Sequence, residues 1–311
     1  MSGEFANLFS DVQQFPSQDA KERLSSLIGY DELLDDLVSN AIMLLDKRGL
    51  RKWSTDVHGS VLPAANALLE RSPIFIFAGD VGVGKTEVAE LLGQKIATHS
   101  GVGVELYSLS LAARGHGAVG EMTTLLTSAF SIIRKDFSGR RNKDGGAASM
   151  GILLIDEADA IAQSRELAQM HHEDRAGVNA LLRGIDSLRS DDLPVLTILC
   201  TNRLSAIDPA VQRRAASIHT FVRPGREERK ALLSVLLEGT KIAQSEIDQL
   251  ADATGKSKNR AYGFTYSDLR KRLVPDAVLV AYRGGQPLSY EILAKVLEKV
   301  EPTRPFKEIG E

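Results

Sequence analysis

The sequence predicts an α/β protein, a parallel five-stranded sheet with helices on both faces, followed by a small all-helical lid. Three observations predict it. Short continuous apolar runs such as Ile74-Phe75-Ile76-Phe77-Ala78 have the pattern of strands buried on both faces. Helical stretches alternate with those runs, as crossover helices do in a parallel sheet. After Pro224-Gly225 the strands stop and only amphipathic helices remain.

Taken in order, residues 1–22 are polar and lack periodicity, so they are expected to form a flexible segment. Leu24–Tyr30 leads into a helix whose apolar side is Leu33, Leu34, Leu37, Ile42, Leu44 and Leu45. The first strand is Ile74–Ala78; a glycine-rich turn and a helix over Thr86–Thr98 follow. Val104–Ser110 alternates as the second strand, and Met122, Leu125, Leu126, Ala129, Phe130 and Ile133 mark a helix by their three-and-four spacing. Ser138–Ser149, rich in glycine, serine and charge, predicts a flexible surface loop. Ile152–Ile155, Val195–Cys200 and Ile218–Val222 complete the strands. The remaining helices fall near 226–238, 244–253, 267–281 and 290–300. A large αβα domain is therefore expected over 23–223 and a helical lid over 224–311.

Composition removes several function classes. At 43% hydrophobic and 25% charged, the 311 residues can bury a core, yet none of the apolar runs can span a bilayer. The first twenty residues lack the basic start and apolar run of a secretion signal. A single cysteine, Cys200, sits in an apolar run and has no partner within the chain, which fits a reducing cytoplasm. The net charge of -3 argues against direct binding to nucleic acid.

The chemistry is concentrated after the strands. Gly79-Asp80-Val81-Gly82-Val83-Gly84-Lys85-Thr86 matches G-x-x-x-x-G-K-[ST] and lies between a strand and a helix. Glycines let successive N–H groups point inward at phosphate oxygens, and the helix N-terminus adds positive potential. Lys85 is expected at the β- and γ-phosphates of ATP, Thr86 at Mg²⁺, and Glu87 in the same nucleotide-binding segment. Ile155-Asp156-Glu157 ends an apolar strand with adjacent carboxylates. Asp156 suits the metal shell and Glu157 the activation of water, which favours hydrolysis over transfer to another acceptor. Thr201-Asn202 closes another strand with a neutral amide able to orient that water. Arg213 and Arg214 precede the last strand, too far round the sheet for the phosphates of their own chain, so a guanidinium supplied to a neighbour is expected.

This order of motifs resembles the AAA+ ATPases over nearly the whole chain from about residue 22. Leu27-Ile28-Gly29-Tyr30, Val119-Gly120-Glu121 and Gly263-Phe264-Thr265-Tyr266-Ser267-Asp268-Leu269 resemble the classical AAA clade. The resemblance implies that Ile28 and Gly29 contact adenine, that the second segment belongs to a central-pore loop, and that the third packs the lid over the nucleotide. Within the clade, Val178-Asn179-Ala180-Leu181-Leu182-Arg183-Gly184-Ile185-Asp186 and Arg214-Ala215 with Ile218 resemble the HORMA-domain remodelling ATPases, the pachytene-checkpoint family and its compact bacterial relatives in CBASS anti-phage operons. The resemblance implies a homo-oligomer, a hexameric ring, in which Arg214 is the trans-acting finger and Arg213 the second. It also implies a HORMA-domain protein as substrate and, through it, a nucleotidyltransferase. Two departures stand out. The pore loop has Ala118 where relatives place an aromatic, so the grip on substrate is expected from His116 and Val119. Ser267 occupies the lid position of a sensing arginine. A general unfoldase or protease-feeding ring and, against the charge, a nucleic-acid motor or clamp-loader-like switch are the alternatives.

Overall fold

The computed structural model describes residues 8–109, 121–161, 172–258 and 260–306. By its contacts the chain forms two compact units. One comprises the residues up to Ser25, Glu32–Ala78 and Thr86–Thr220. The other joins Ser26–Asp31 and Gly79–Lys85 to the residues from Phe221 onward.

In chain order the first part of the fold holds β1 (Phe9–Phe15), α1 (Gln18–Ser25), α2 (Asp31–Leu45), α3 (Arg48–His58), α4 (Pro63–Leu69), β2 (Ile74–Gly79) and α5 (Lys85–Ser100). It continues with β3 (Val104–Leu109), α6 (Glu121–Phe137), β4 (Met150–Ile155), α7 (His172–Ser190), β5 (Val195–Thr201), α8 (Pro209–Arg214) and β6 (Ser217–Phe221). The strands lie in the order β1-β3-β4-β5-β2-β6. β3, β4, β5 and β2 run parallel, in registers such as Leu106↔Ile152, Leu153↔Thr197 and Ile76↔Leu199.

The sheet therefore has six strands where five were expected, because β1 adds an antiparallel strand to β3. From residue 8 onward, this corrects the reading of residues 1–22 as a flexible segment. Only Phe9 and Phe15, at the two ends of β1, are fully buried; the residues between them are exposed or partly so. An edge strand with one solvated face carries no hydrophobic period, and its backbone pairing leaves no trace in composition. The loop after α6 also differs from expectation. Arg141 bridges Ala147, Arg48 pairs with Asp144 at 2.8 Å, and Arg141 donates to Leu45 O at 3.0 Å. Arg48 and Leu45 lie far away in sequence, where local composition cannot register them.

The two faces of the sheet are covered differently. Leu126, Ala129, Phe130, Ile133 and Phe137 repeat every three or four residues along α6 and share one core with Leu153, Ile155, Leu181 and Ile185. Gly184 lets α6 and α7 approach closely, since a Cβ there would lie 2.2 Å from the Phe130 ring. The opposite face takes Ile152, whose methyl approaches Gly93 of α5; a Cβ at Gly93 would meet the Phe15 ring at 2.5 Å. Each fully buried leucine, isoleucine or phenylalanine of such a core contributes about 2 kcal/mol.

The second unit is mostly helical: α9 (Arg226–Leu236), α10 (Gln244–Ala253), a turn at Tyr266–Asp268 that runs through a wider π turn (Leu269–Leu273) into α11 (Val274–Arg283), and α12 (Tyr290–Leu297). Leu232, Leu233, Leu250, Phe264, Leu269, Leu273, Ala277 and Leu293 form its core, with Ile28 packed against them. Among the described residues no helix is long and apolar enough to cross a membrane.

Candidate nucleotide site

The phosphate loop leaves the C-terminal end of β2 and turns on three glycines with positive φ, Gly79, Gly82 and Gly84. Side chains are excluded at each. A Cβ at Gly79 would lie 2.2 Å from Phe221 O, at Gly82 2.8 Å from Ser267 Cβ, and at Gly84 3.0 Å from the Tyr30 hydroxyl. The loop is thus a backbone cradle fixed from outside, which is the shape a polyphosphate requires. Lys85 is buried, and its Nζ donates to Gly79 O at 2.9 Å and Asp80 O at 2.7 Å. Both acceptors are in the loop itself, so the ammonium is held at the cradle.

Thr86 is the second residue of α5, and its Oγ1 donates to Asp156 Oδ2 at 2.8 Å. A hydroxyl and a carboxylate at that distance are a suitable donor set for Mg²⁺, which prefers a few hard oxygens and keeps waters for the rest. Glu157, one residue on, is exposed and has φ 51 and ψ 41, a left-handed conformation that costs a non-glycine residue about 1 kcal/mol or more. Its N–H donates to Asp156 Oδ1 at 2.8 Å. The turn points the two neighbouring carboxylates to different tasks, one toward Thr86 and the other to solvent. Asn202 directly follows β5, where Thr201 Oγ1 donates to Asp159 Oδ1 at 3.1 Å. Glu87 is engaged elsewhere: Arg23 pairs with it at 3.0 Å and with Glu90 at 2.6 Å. Its side chain is thus committed to Arg23 of α1.

Residues from segments distant in sequence hold the loop. Tyr30 donates its hydroxyl to Val83 O and packs against Tyr266 and Phe221, with ring centroids 5.4 and 5.7 Å away. Burial pushes its phenol well above the usual range, and burial with nearby Glu228 pushes Tyr266 up to about 12. Gly29 takes φ +82 beside the Tyr266 hydroxyl. Arg223 pairs with Asp80 at 2.8 Å and donates to Gly263 O and Thr303 O, both at 2.8 Å. Phe306 N also donates to Asp80 Oδ1, at 3.2 Å, and Ser267 N to Gly82 O at 3.1 Å. Tyr30, Gly263, Tyr266 and Ser267 lie in the two segments that carry the family resemblance, and Asp80 is an acid inside the phosphate loop; nothing in the sequence marks Arg223.

Asp268 is buried and organises this region. It accepts from Thr265 N and Thr303 N, both at 3.0 Å, and from Thr303 Oγ1 at 2.6 Å. Burial by itself would raise its carboxyl, but these hydrogen bonds outweigh it and hold the group below the usual carboxylate range.

The arginines sit at the other end of the sheet. Asp208 caps α8 by accepting from Ala210 N at 2.7 Å, and α8 ends at Arg214. Ala216 N then donates to Ile74 O at 2.9 Å, which puts this turn beside the first residue of β2. Gly79 lies five residues further along that strand, about 17 Å at the rise of an extended chain. Arg214 pairs with Asp186 at 3.3 Å and donates to Ala210 O at 3.2 Å. The expected pore residues, His116 and Val119, lie outside the described residues.

A model of the family described as "ATPase family associated with various cellular activities (AAA)" matches residues 75–223. CD-NTase-associated protein 6 of Escherichia coli strain MS 115-1 is 44% identical over 96% of both chains. A chain in the solved E. coli MS115-1 HORMA:CdnC:Trip13 complex superposes with TM-score 0.90 and 42% identity, covering 99% of this chain and 100% of that one. The structure of Rhizobiales Trip13 gives 0.73 and 36%, covering 96% and 100%. With its phosphate loop and strand-end carboxylates in place, the chain belongs to the AAA ATPase family, in the group that includes CD-NTase-associated protein 6.

Proposed function

We propose that this chain is an ATP-driven protein remodeller that assembles into a hexameric ring in the cytoplasm. It opens a HORMA-domain protein and so disassembles that protein's complex with a nucleotidyltransferase, switching off an anti-phage signal of the CBASS type. The observation that carries this reading is the likeness, over nearly the full length of both chains, to the Trip13-like subunit of a HORMA:CdnC:Trip13 complex.

In this reading Lys85 and the N–H groups of Asp80–Thr86 bind the polyphosphate, with Ile28 and Gly29 beside the base. Thr86 and Asp156 hold Mg²⁺, which when bound neutralises charge on the β- and γ-phosphates. Glu157 takes a proton from the attacking water, and Asn202 orients that water. Arg214, with Arg213 second, serves the site of the neighbouring copy. Its reach is the supporting argument: about 17 Å of strand separates the start of β2 from the loop at its end. Hydrolysis is coupled to pulling through His116 and Val119 in the pore.

The test uses Glu157→Gln as bait. With ATP present, the blocked ring should retain a HORMA-domain protein from the native host. Retention of many proteins with no shared fold would favour a general unfoldase, and retention of none would end the remodeller reading. In the same preparation, replacing His116 and Val119 together by Asp should abolish disassembly of the HORMA complex while ATP hydrolysis stays within a few-fold. Normal disassembly by that variant would exclude threading through this loop.

A further inference from the structure

Beside the start of β2 lies a pocket of about 370 Å³ lined by Arg71, Arg189, Arg213 and Arg214 together with Glu70 and Asp186. Two of these cations are committed: Arg214 to Asp186 at 3.3 Å, and Arg189 to Glu70 O at 3.3 Å. Arg71 and Arg213 are exposed, and among the described residues their guanidiniums make no hydrogen bond or ion pair. Four guanidiniums against two carboxylates leave the pocket a net two positive charges in excess. Converging like charges repel, and an arrangement that keeps four of them together with only two internal carboxylates is suited to an anion from outside. Arg71 reaches the pocket from a different element than the fingers, the turn between α4 and β2. That turn is fixed: Arg71 N donates to Leu68 O at 3.2 Å, and Ile74 N to Ser72 O at 2.8 Å.

We propose that Arg71 is a third trans-acting cation, which contacts the terminal phosphates of the nucleotide bound by the neighbouring copy alongside Arg214 and Arg213. The proposal rests on the trans-arginine reading above and extends it to a residue outside every motif. Planar guanidiniums can each present two N–H groups to phosphate oxygens, so Arg71 adds donors as well as charge. Asp186 has a companion role: it pairs with the Arg214 guanidinium at the pocket until the neighbour's phosphates compete for it.

The experiment compares steady-state ATP hydrolysis and binding of a fluorescent ATP analogue for Arg71→Ala, Arg71→Lys and Arg214→Ala. Arg71 is solvent-facing and unpaired, so its replacement leaves the fold intact. Arg71→Ala should keep analogue binding and lower kcat about tenfold, as loss of one nearby charge implies, and Arg71→Lys should recover part of the loss. Mixing Arg71→Ala with an excess of Glu157→Gln chains should raise turnover per competent Glu157, because the inactive neighbour supplies an intact Arg71. Unchanged kcat in Arg71→Ala beside a large loss in Arg214→Ala would overturn the role of Arg71 and leave the finger standing. A loss that mixing fails to relieve would overturn action in trans. Normal turnover by Arg214→Ala would overturn the finger reading itself.

Discussion

The two ends of strand β2 solve their electrostatics in opposite ways. At the C-terminal end, cations and polar groups are matched within the chain: Lys85 on the carbonyls of Gly79 and Asp80, and Arg223 on the Asp80 carboxylate. At the N-terminal end, Arg71 and Arg213 face a pocket without partners among the described residues. The first end is a site prepared by its own chain. The second, in the reading proposed here, is completed by negative charge from another molecule. In the ring proposed above, one interface would satisfy both, since each copy would offer a phosphate site on one side and guanidiniums on the other.

The strongest way to break this comparison is to disable each end and ask what is lost. Lys85→Ala should abolish ATP binding, measured by calorimetry, because the buried ammonium has no substitute in the cradle. Arg214→Ala should bind ATP normally yet hydrolyse it about a thousandfold slower, the lower range for loss of an arginine finger. If Arg214→Ala loses affinity and keeps turnover, the two ends do not differ as argued.

A smaller effect sharpens the cis side. Arg223→Ala leaves an acid inside the phosphate loop without its counter-charge, so ATP affinity should fall about tenfold while kcat at saturation changes little. Asp80→Asn placed on that background should restore most of the affinity, because it removes the exposed repulsion. Failure of the second change to help would mean that Arg223 acts through Gly263 and Thr303 rather than through Asp80.

The smallest effect concerns acid. Asp268 has its carboxyl lowered in the folded chain, so its contribution to stability is complete above the usual value near 3.8. It is lost as pH falls below that value and through the folded one. Melting temperature followed from pH 6 to pH 3 should therefore drop more steeply for the natural chain than for Asp268→Asn. The substitution should itself cost about 2 kcal/mol at neutral pH, through weaker hydrogen bonds from Thr265 and Thr303. Parallel pH curves would show that the lowered carboxyl has no bearing on folding.

Much of this molecule is settled locally. Ile74–Ala78 can only be a buried strand, the glycines after it admit backbone conformations other residues avoid, and Lys85, Thr86, Asp156 and Glu157 have fixed places relative to strand ends. Chemistry that depends on sequence neighbours is therefore readable without coordinates, as is the family to which those neighbours belong. Tertiary structure decided what joins distant segments. It paired a strand without hydrophobic period, β1, with the edge of the sheet. It gathered Ser26–Asp31 and Gly79–Lys85 with the residues after Phe221, and it put Arg223 and Phe306 on Asp80. It also brought Arg71 to one pocket with Arg213 and Arg214, 142 and 143 positions away in the chain. Backbone pairing at an edge and single ion pairs across a hundred residues impose no period and no composition. They depend on where the folded chain carries each group, and that is fixed only when the core has closed.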